Sequence, residues 1–301
     1  MDNILYNSNV VNAFSELVPS ILIAPLNLGL MQQSERVPDI HEVFDTDRHV
    51  SLHKKARYAI KAALDDLQLQ KDDVVTILTT SGNFYVSGCV TKAIEQVCRW
   101  NREVCAETKA ILVIHEFGYP YQSLNELKKY GLPIIEDCAY AFLSKDEEIG
   151  QVGDYVIYSL PKAFNMQLGG VLLSRSEVAN GTTDAEADYI LSHAYCGQKE
   201  KNVIIEKRLQ NYDYLCKALA PLGIAPFFEL TDGVVPGTFL FTWRNDIDYP
   251  NLKEFMQRNG VESSVFYGKN AFFIPMHHNL EKTELDYMIN LLKYYYENRV
   301  M

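Results

Sequence analysis

Short apolar runs bounded by glycine, proline and acidic residues recur through the first two thirds of the chain. Val74 to Leu78, Ala110 to Ile114, Pro133 to Ile135, Tyr155 to Tyr158 and Val171 to Leu173 each read as a strand, Pro133 to Ile135 as one buried on both faces and Tyr155 to Tyr158 as a repeat of that pattern. Helical spacing fills several of the gaps between them. Leu52, Ala56, Ile60, Ala63, Leu64 and Leu67 predict a helix over Ser51 to Gln70 with Ser51 as its N-cap. The small polar turn Thr79 to Asn83 leads into a second helix reaching about Val104, and a short third one covers Leu124 to Tyr130. Strands alternating with helices predict an α/β fold with a mainly parallel sheet and right-handed crossovers.

Beyond Ser174 the alternation changes character. Ser176 to Asp188 is polar and loop-like, and Ile205, Leu209, Tyr212, Leu215 and Leu219 then mark a helix from about Asn202 to Ala220. A strand at Thr238 to Trp243, a helix at Leu252 to Arg258, a strand at Val261 to Phe266 and a helix from Lys282 to about Glu297 predict a smaller α+β domain packed on the first. The domain expectation is a large domain over residues 1–190 and a C-terminal one over 191–301, with 1–50 the least readable part. Within that part, Ile21 to Leu30 reads as a strand or as cover for a hydrophobic face.

A chain of 301 residues, 48% hydrophobic and 22% charged, is long enough to bury a full core and ordinary for a globular protein. The net charge of −11 argues against nonspecific nucleic-acid binding, because too few cations are present to displace phosphate counterions. The longest apolar stretch, Leu17 to Met31, is broken by Pro19, Ser20, Pro25 and Asn27. It predicts neither a membrane span nor a signal peptide. The six cysteines show no CxxC and no zinc-like spacing with histidine, which predicts reduced thiols in a cytoplasmic protein and no metal site. His277 and His278 beside Pro275 read as a loop feature.

Candidate chemistry gathers at two strand ends. Asp137 closes one strand, and Ser159 closes the next, with Lys162 and the pair Gly169-Gly170 after it. In open α/β sheets ligands bind at the carboxyl ends of the strands. An acid and a lysine on neighbouring strand ends point to pyridoxal phosphate, which needs an amine to bond covalently and a carboxylate to keep its ring nitrogen protonated. The turn Ser81-Gly82-Asn83 between strand and helix is a second candidate, since such turns offer backbone N–H groups to a phosphate. An ordinary capped helix has the same composition.

The pieces TKAILVIHEFGYP, ELKKYGLPIIEDCAYAF and IGQVGDYVIYS, and a lysine followed after seven and eight residues by Gly-Gly, resemble the DegT/DnrJ/StrS-type sugar aminotransferases. The resemblance runs from Thr108 to Gly170 and extends less specifically to GVESSVFYG and IPMHHNLEKTELDYMI. It implies a fold-type-I, aspartate-aminotransferase-like large domain with pyridoxal phosphate as cofactor. Lys162 would be the catalytic lysine, bonded to the cofactor and then released to move a proton. Asp137 would pair with the ring nitrogen, Ala139 would lie under the ring, and Tyr140 would hydrogen-bond the phenolic oxygen from a slot usually held by glutamine or histidine. Ser159 would touch the phosphate, which the resemblance otherwise puts at Ser81, Gly82 and Asn83. The partners implied are an amino-acid donor and a keto-sugar, nucleotide-linked, acted on by a homodimer.

The chain also departs from that family. It looks shortened, running straight from Trp100 to Thr108 where relatives insert strands and a helix that carry the aromatic ring stacked on the cofactor. Phe84 and Tyr85 are the candidate substitutes. The serine-to-lysine spacing is two residues shorter than usual, and HAYCGQKEKN at His193 to Asn202 stands where relatives contribute phosphate contacts across the dimer. Two readings follow. One is an aminotransferase; the other keeps the fold without transamination and serves a biosynthetic enzyme as a binding or regulatory partner.

Overall fold

The computed structural model describes residues 20–147 and 149–298. The apolar run that begins at Leu17 therefore starts outside the described residues. The chain gathers into two compact units, one of residues 26–202 with 231–235, the other of 20–25, 203–230 and 236–298. No described helix is long and apolar enough to cross a membrane.

The larger unit is an α/β unit around a seven-stranded sheet. After a one-turn helix α1 (Ile40–Val43) come β1 (His49–His53), α2 (Ala56–Asp66), β2 (Val74–Thr79), α3 (Gly88–Glu95), β3 (Arg99–Asn101), β4 (Thr108–Ile114) and β5 (Ile134–Asp137). They are followed by β6 (Tyr155–Ser159), α4 (Leu160–Ala163), β7 (Gly170–Ser174) and α5 (Asp184–Lys199). The strand order is β1-β7-β6-β5-β4-β2-β3. Strands β3, β2, β4, β5 and β6 run parallel, and β7 is antiparallel to both β6 and β1, so the sheet is mainly parallel as the alternation predicts. Ile60, Ala63 and Leu64 of α2 and Ala93 and Ile94 of α3 pack on Ile77, Leu112, Ile135, Ile157 and Leu172.

Three expectations change here. Ser51 is not an N-cap but the buried middle of β1, which pairs with β7; the helix starts at Ala56. The helix after β2 is short, opening at Gly88 behind the Ser87 cap and closing at Glu95, because the next residues join the sheet edge as β3. The short helix expected at Leu124 to Tyr130 is present with those bounds, and only its winding is new, 3-10 rather than α. The polar stretch read as a loop up to Asp188 contains the start of α5, opened by a capping box between Thr183 and Glu186.

The smaller unit carries most of α6 (Lys201–Leu219), then β8 (Ile224–Pro226), β9 (Phe239–Trp243), α7 (Tyr249–Arg258), β10 (Ser264–Val265), β11 (Phe272–Ile274) and α8 (Lys282–Asn298). Its four-stranded sheet has the order β10-β11-β9-β8 and is antiparallel throughout. Phe239, Phe241, Trp243 and Phe272 from the sheet meet Leu252 and Met256 of α7 and Met288, Leu291 and Leu292 of α8 in one core. Ile21 joins that core and bridges to Val261.

Candidate functional site

The carboxyl edge of the large sheet is assembled by register. Ile114 pairs with Asp137 and Asp137 with Ile157, which brings β4, β5 and β6 to a common end. Ser159 pairs with Gly170 and Gly170 with His53, which adds β7 and β1 to the same edge. Lys162 stands one turn past Ser159, on the short helix α4 that Pro161 opens. Asp137 and Lys162 thus arrive at one rim from neighbouring parallel strands.

Asp137 is buried, and its Oδ1 accepts the Ala139 N–H at 3.0 Å. Burial pushes its carboxyl above the ordinary aspartate range; the charge of Lys162 and the Ala139 N–H pull the other way without overcoming it. Lys162 is half-buried, and its Nζ lies 3.6 Å from the centroid of the Tyr140 ring. Asp137, Ala139, Tyr140 and Lys162 are therefore brought together.

Behind Asp137 lies a polar centre that sequence reasoning missed. Glu136 is fully buried, and its two oxygens accept from His115 Nε2 (3.0 Å) and from the backbone N–H groups of Gly150 (2.6 Å), Val152 (3.0 Å) and Gly153 (2.5 Å). The Tyr121 N–H donates to His115 Nδ1 at 3.1 Å, so the imidazole carries its proton on Nε2, and that N–H donates a hydrogen bond to Glu136. Burial alone would raise the Glu136 carboxyl, but the His115 hydrogen bond and the Gly153 and Gly150 N–H groups outweigh it and hold it below the usual range. Cys138 completes a cluster of possible metal-ligating atoms within 4.8 Å of one another. The four lone-pair positions of Glu136 are already taken by N–H donors, which makes the cluster a hydrogen-bonded anchor.

The expected phosphate turn is built differently. The Ser81 N–H donates to the carboxylate of buried Glu116 at 2.7 Å, the Gly82 N–H to Thr79 O at 3.0 Å, and the Asn83 N–H to Ser81 Oγ at 3.1 Å. All three donors that would hold a phosphate are spent within the chain, one of them on a negative charge, and α3 begins only at Gly88. Arg102 donates to Ile77 O, Thr79 Oγ1 and Asn83 O and locks the turn. Phe84 is 74% and Tyr85 47% exposed.

Another anion seat stands at the same edge. Helix α2 starts two residues after β1, and no side chain caps its N-terminus. Its first backbone lies so close to β7 that a Cβ on Gly170 would fall 2.3 Å from the carbonyl carbon of Lys55. Gly170 pairs with Ser159, so this N-terminus adjoins Ser159, with exposed Lys55 and Arg57 beside it, while Lys54 is paired with Glu186 at 2.7 Å. A helix N-terminus with nearby cations favours an anion. The signal missed in the sequence was β1 itself: with Ser51 read as a cap, the true helix start was hidden.

Residues 94–203 match the sequence model of the DegT/DnrJ/EryC1/StrS aminotransferase family, the family that the motifs resemble. A search among curated proteins gives no match. Solved structures share the fold. The aminotransferase TlmJ from Streptoalloteichus hindustanus superposes with a TM-score of 0.71 at 14% identity, over 91% of this chain and 94% of that one. Spr1654 from Streptococcus pneumoniae, in its PLP form, gives 0.66 at 15% identity over 88% of this chain and 99% of that one. DesV from S. venezuelae, solved with a ketimine intermediate, gives 0.63 at 16% identity over 82% and 85%. At these identities the likeness is one of fold, and it is the aminotransferase fold that the motifs led us to expect.

Proposed function

We propose that the chain is a pyridoxal phosphate-dependent aminotransferase that moves an amino group from an amino acid to a keto-sugar, nucleotide-linked, as a cytoplasmic homodimer. The observation that carries this reading is the convergence of a buried carboxylate and a primary amine, Asp137 and Lys162, on one strand edge. The residues present fit the cofactor. Asp137 has lone pairs left for a protonated ring nitrogen, Ala139 leaves room beside it, and the uncapped start of α2 next to Ser159 suits a phosphate. When bound, the cofactor supplies an aldehyde for the amine and an electron-accepting ring. Asp137 would hold the ring nitrogen charged from its buried position, and Glu136 fixes the end of β5 on which Asp137 stands. Lys162 would be the group placed to take the proton from the substrate's amino carbon. Six free cysteines suit a reducing compartment.

The test begins with purified protein and pyridoxal phosphate. Borohydride reduction followed by peptide mapping should find the cofactor fixed to Lys162, and glutamate added before reduction should abolish the fixation. A colourless protein that stays so at saturating cofactor eliminates the enzyme and leaves the binding-partner reading. Covalent attachment that no amino donor reverses leaves a cofactor-loaded but silent protein.

A further inference from the structure

The family resemblance implies a hydroxyl role for Tyr140, yet the structure presents the face of its ring to the lysine. At 3.6 Å from Lys162 Nζ to the ring centroid, the contact is well inside the range of a cation–π interaction, whose outer limit is about 6 Å. The ring is held from its own side of the site. Phe117 packs on it with centroids 5.7 Å apart, and Phe117 does so from a left-handed backbone conformation, φ +55°, that a bulky residue adopts only when its surroundings enforce it. Next to it, Gly118 at φ +94° runs so close to the Tyr140 carbonyl that a Cβ would lie 3.1 Å from that oxygen. Nonlocal packing at 115–118 thus braces Tyr140.

We propose that Tyr140 is a positioning residue whose ring face docks the charged amine of Lys162 at the rim beside Asp137 whenever that amine is not bonded to cofactor. The attraction is far stronger for an ammonium than for a neutral amine, so the ring face is a seat for the charged head of the lysine. Asp137 supplies the opposite charge in the same pocket. In the reading proposed above, on which the purpose of this dock rests, a released lysine that has taken up a proton has to be kept within reach of the reacting atoms until it hands that proton back; a glutamine in the same slot offers no such face.

Two measurements test the dock. With lysines reductively methylated using 13C-formaldehyde, the Lys162 methyl signals, identified by their loss in Lys162→Arg, should be displaced upfield by the Tyr140 ring current in the wild type and in Tyr140→Phe, and should return to the ordinary position in Tyr140→Leu. At fixed pH, trinitrobenzenesulfonate, which attacks only the neutral amine, should label Lys162 roughly 2- to 30-fold faster in Tyr140→Leu than in the wild type, the factor equivalent to a typical cation–π contact. Tyr140→Phe should match the wild type. Undisplaced methyl signals in the wild type overturn the proposal without any variant, and so does Tyr140→Phe behaving like Tyr140→Leu, which would return the role to the hydroxyl. Neither measurement uses pyridoxal phosphate. A protein that docks its lysine in this way but never bonds the cofactor would keep the dock and lose the aminotransferase.

Discussion

Replacing Glu136 by glutamine tests whether the anchor behind the candidate site holds β5 and the 149–153 loop together. Glutamine keeps the shape and one acceptor oxygen, but its NH2 must face two of the four donors, either His115 Nε2 with Gly150 N–H or the N–H groups of Val152 and Gly153. At about 1–3 kcal/mol for each buried donor left without an acceptor, the loss is roughly 2–6 kcal/mol. Trp100 lies on β3 of the larger unit and Trp243 on β9 of the smaller one, and the chain has 2 tryptophans, so fluorescence of Trp243→Phe in urea reports the larger unit alone. Glu136→Gln in that background should lower the unfolding midpoint by an amount corresponding to this loss. The acid limb supplies a second reading. The folded Glu136 carboxyl lies below its ordinary value, so its contribution is complete above the unfolded value of about 4.3 and disappears as pH falls through the folded one. The variant should lack that part of the acid sensitivity. A change of less than about 0.5 kcal/mol, within the range of ordinary surface substitutions, would refute the anchor.

Asp137 carries the opposite sign. Burial raises its carboxyl, so ionisation costs stability as pH rises past the unfolded value of about 3.9; cofactor-free Asp137→Asn should be at least as stable as the wild type by thermal melting at neutral pH, while binding pyridoxal phosphate more weakly. Gly233, at φ +81°, receives the Lys145 N–H on its carbonyl, and a Cβ there would fall 2.0 Å from Lys145 O. Gly233→Ala should therefore destabilise the larger unit by more than about 1 kcal/mol in the same urea assay. His277 and His278 are driven down to about 3, first by burial and then by Arg208. Both stay neutral in the fold while the unfolded chain takes up protons below about 6.5, so the smaller unit should lose stability as pH falls from there towards 3, and His277→Asn, followed by Trp243 fluorescence in a Trp100→Phe background, should flatten that loss.

Much of the candidate site was legible because its residues sit where strand patterns stop. Ile134, Ile135, Val156 and Ile157 are buried on both faces, so the apolar run announces the strand and the first polar residue after it announces the edge. Gly170 was legible for a related reason, since only a glycine lets α2 begin against β7. Strand β1 was not, because its inward residues Ser51 and His53 are polar and satisfy one another through a 3.2 Å hydrogen bond, and because Leu52 continues the helical spacing of α2 backwards into an edge strand. Strand β3 is three residues long and exposed at the opposite edge, where composition carries little signal. The start of α5 was available in Thr183 and Glu186, a capping box set in a stretch too polar to suggest a helix. The Glu116 carboxylate at the Ser81 turn had no local signature, since the two residues are distant in sequence.

The central claim is that Asp137 faces the ring nitrogen of a cofactor bonded to Lys162. Pyridoxal phosphate labelled with 15N in its ring, bound to the wild type and to Asp137→Asn, reads that contact directly by nitrogen NMR. The account predicts a protonated ring nitrogen in the wild type and an unprotonated one in the variant, with the cofactor on Lys162 in both. A ring nitrogen in the same state in the two proteins, or a cofactor fixed to another lysine, would contradict it.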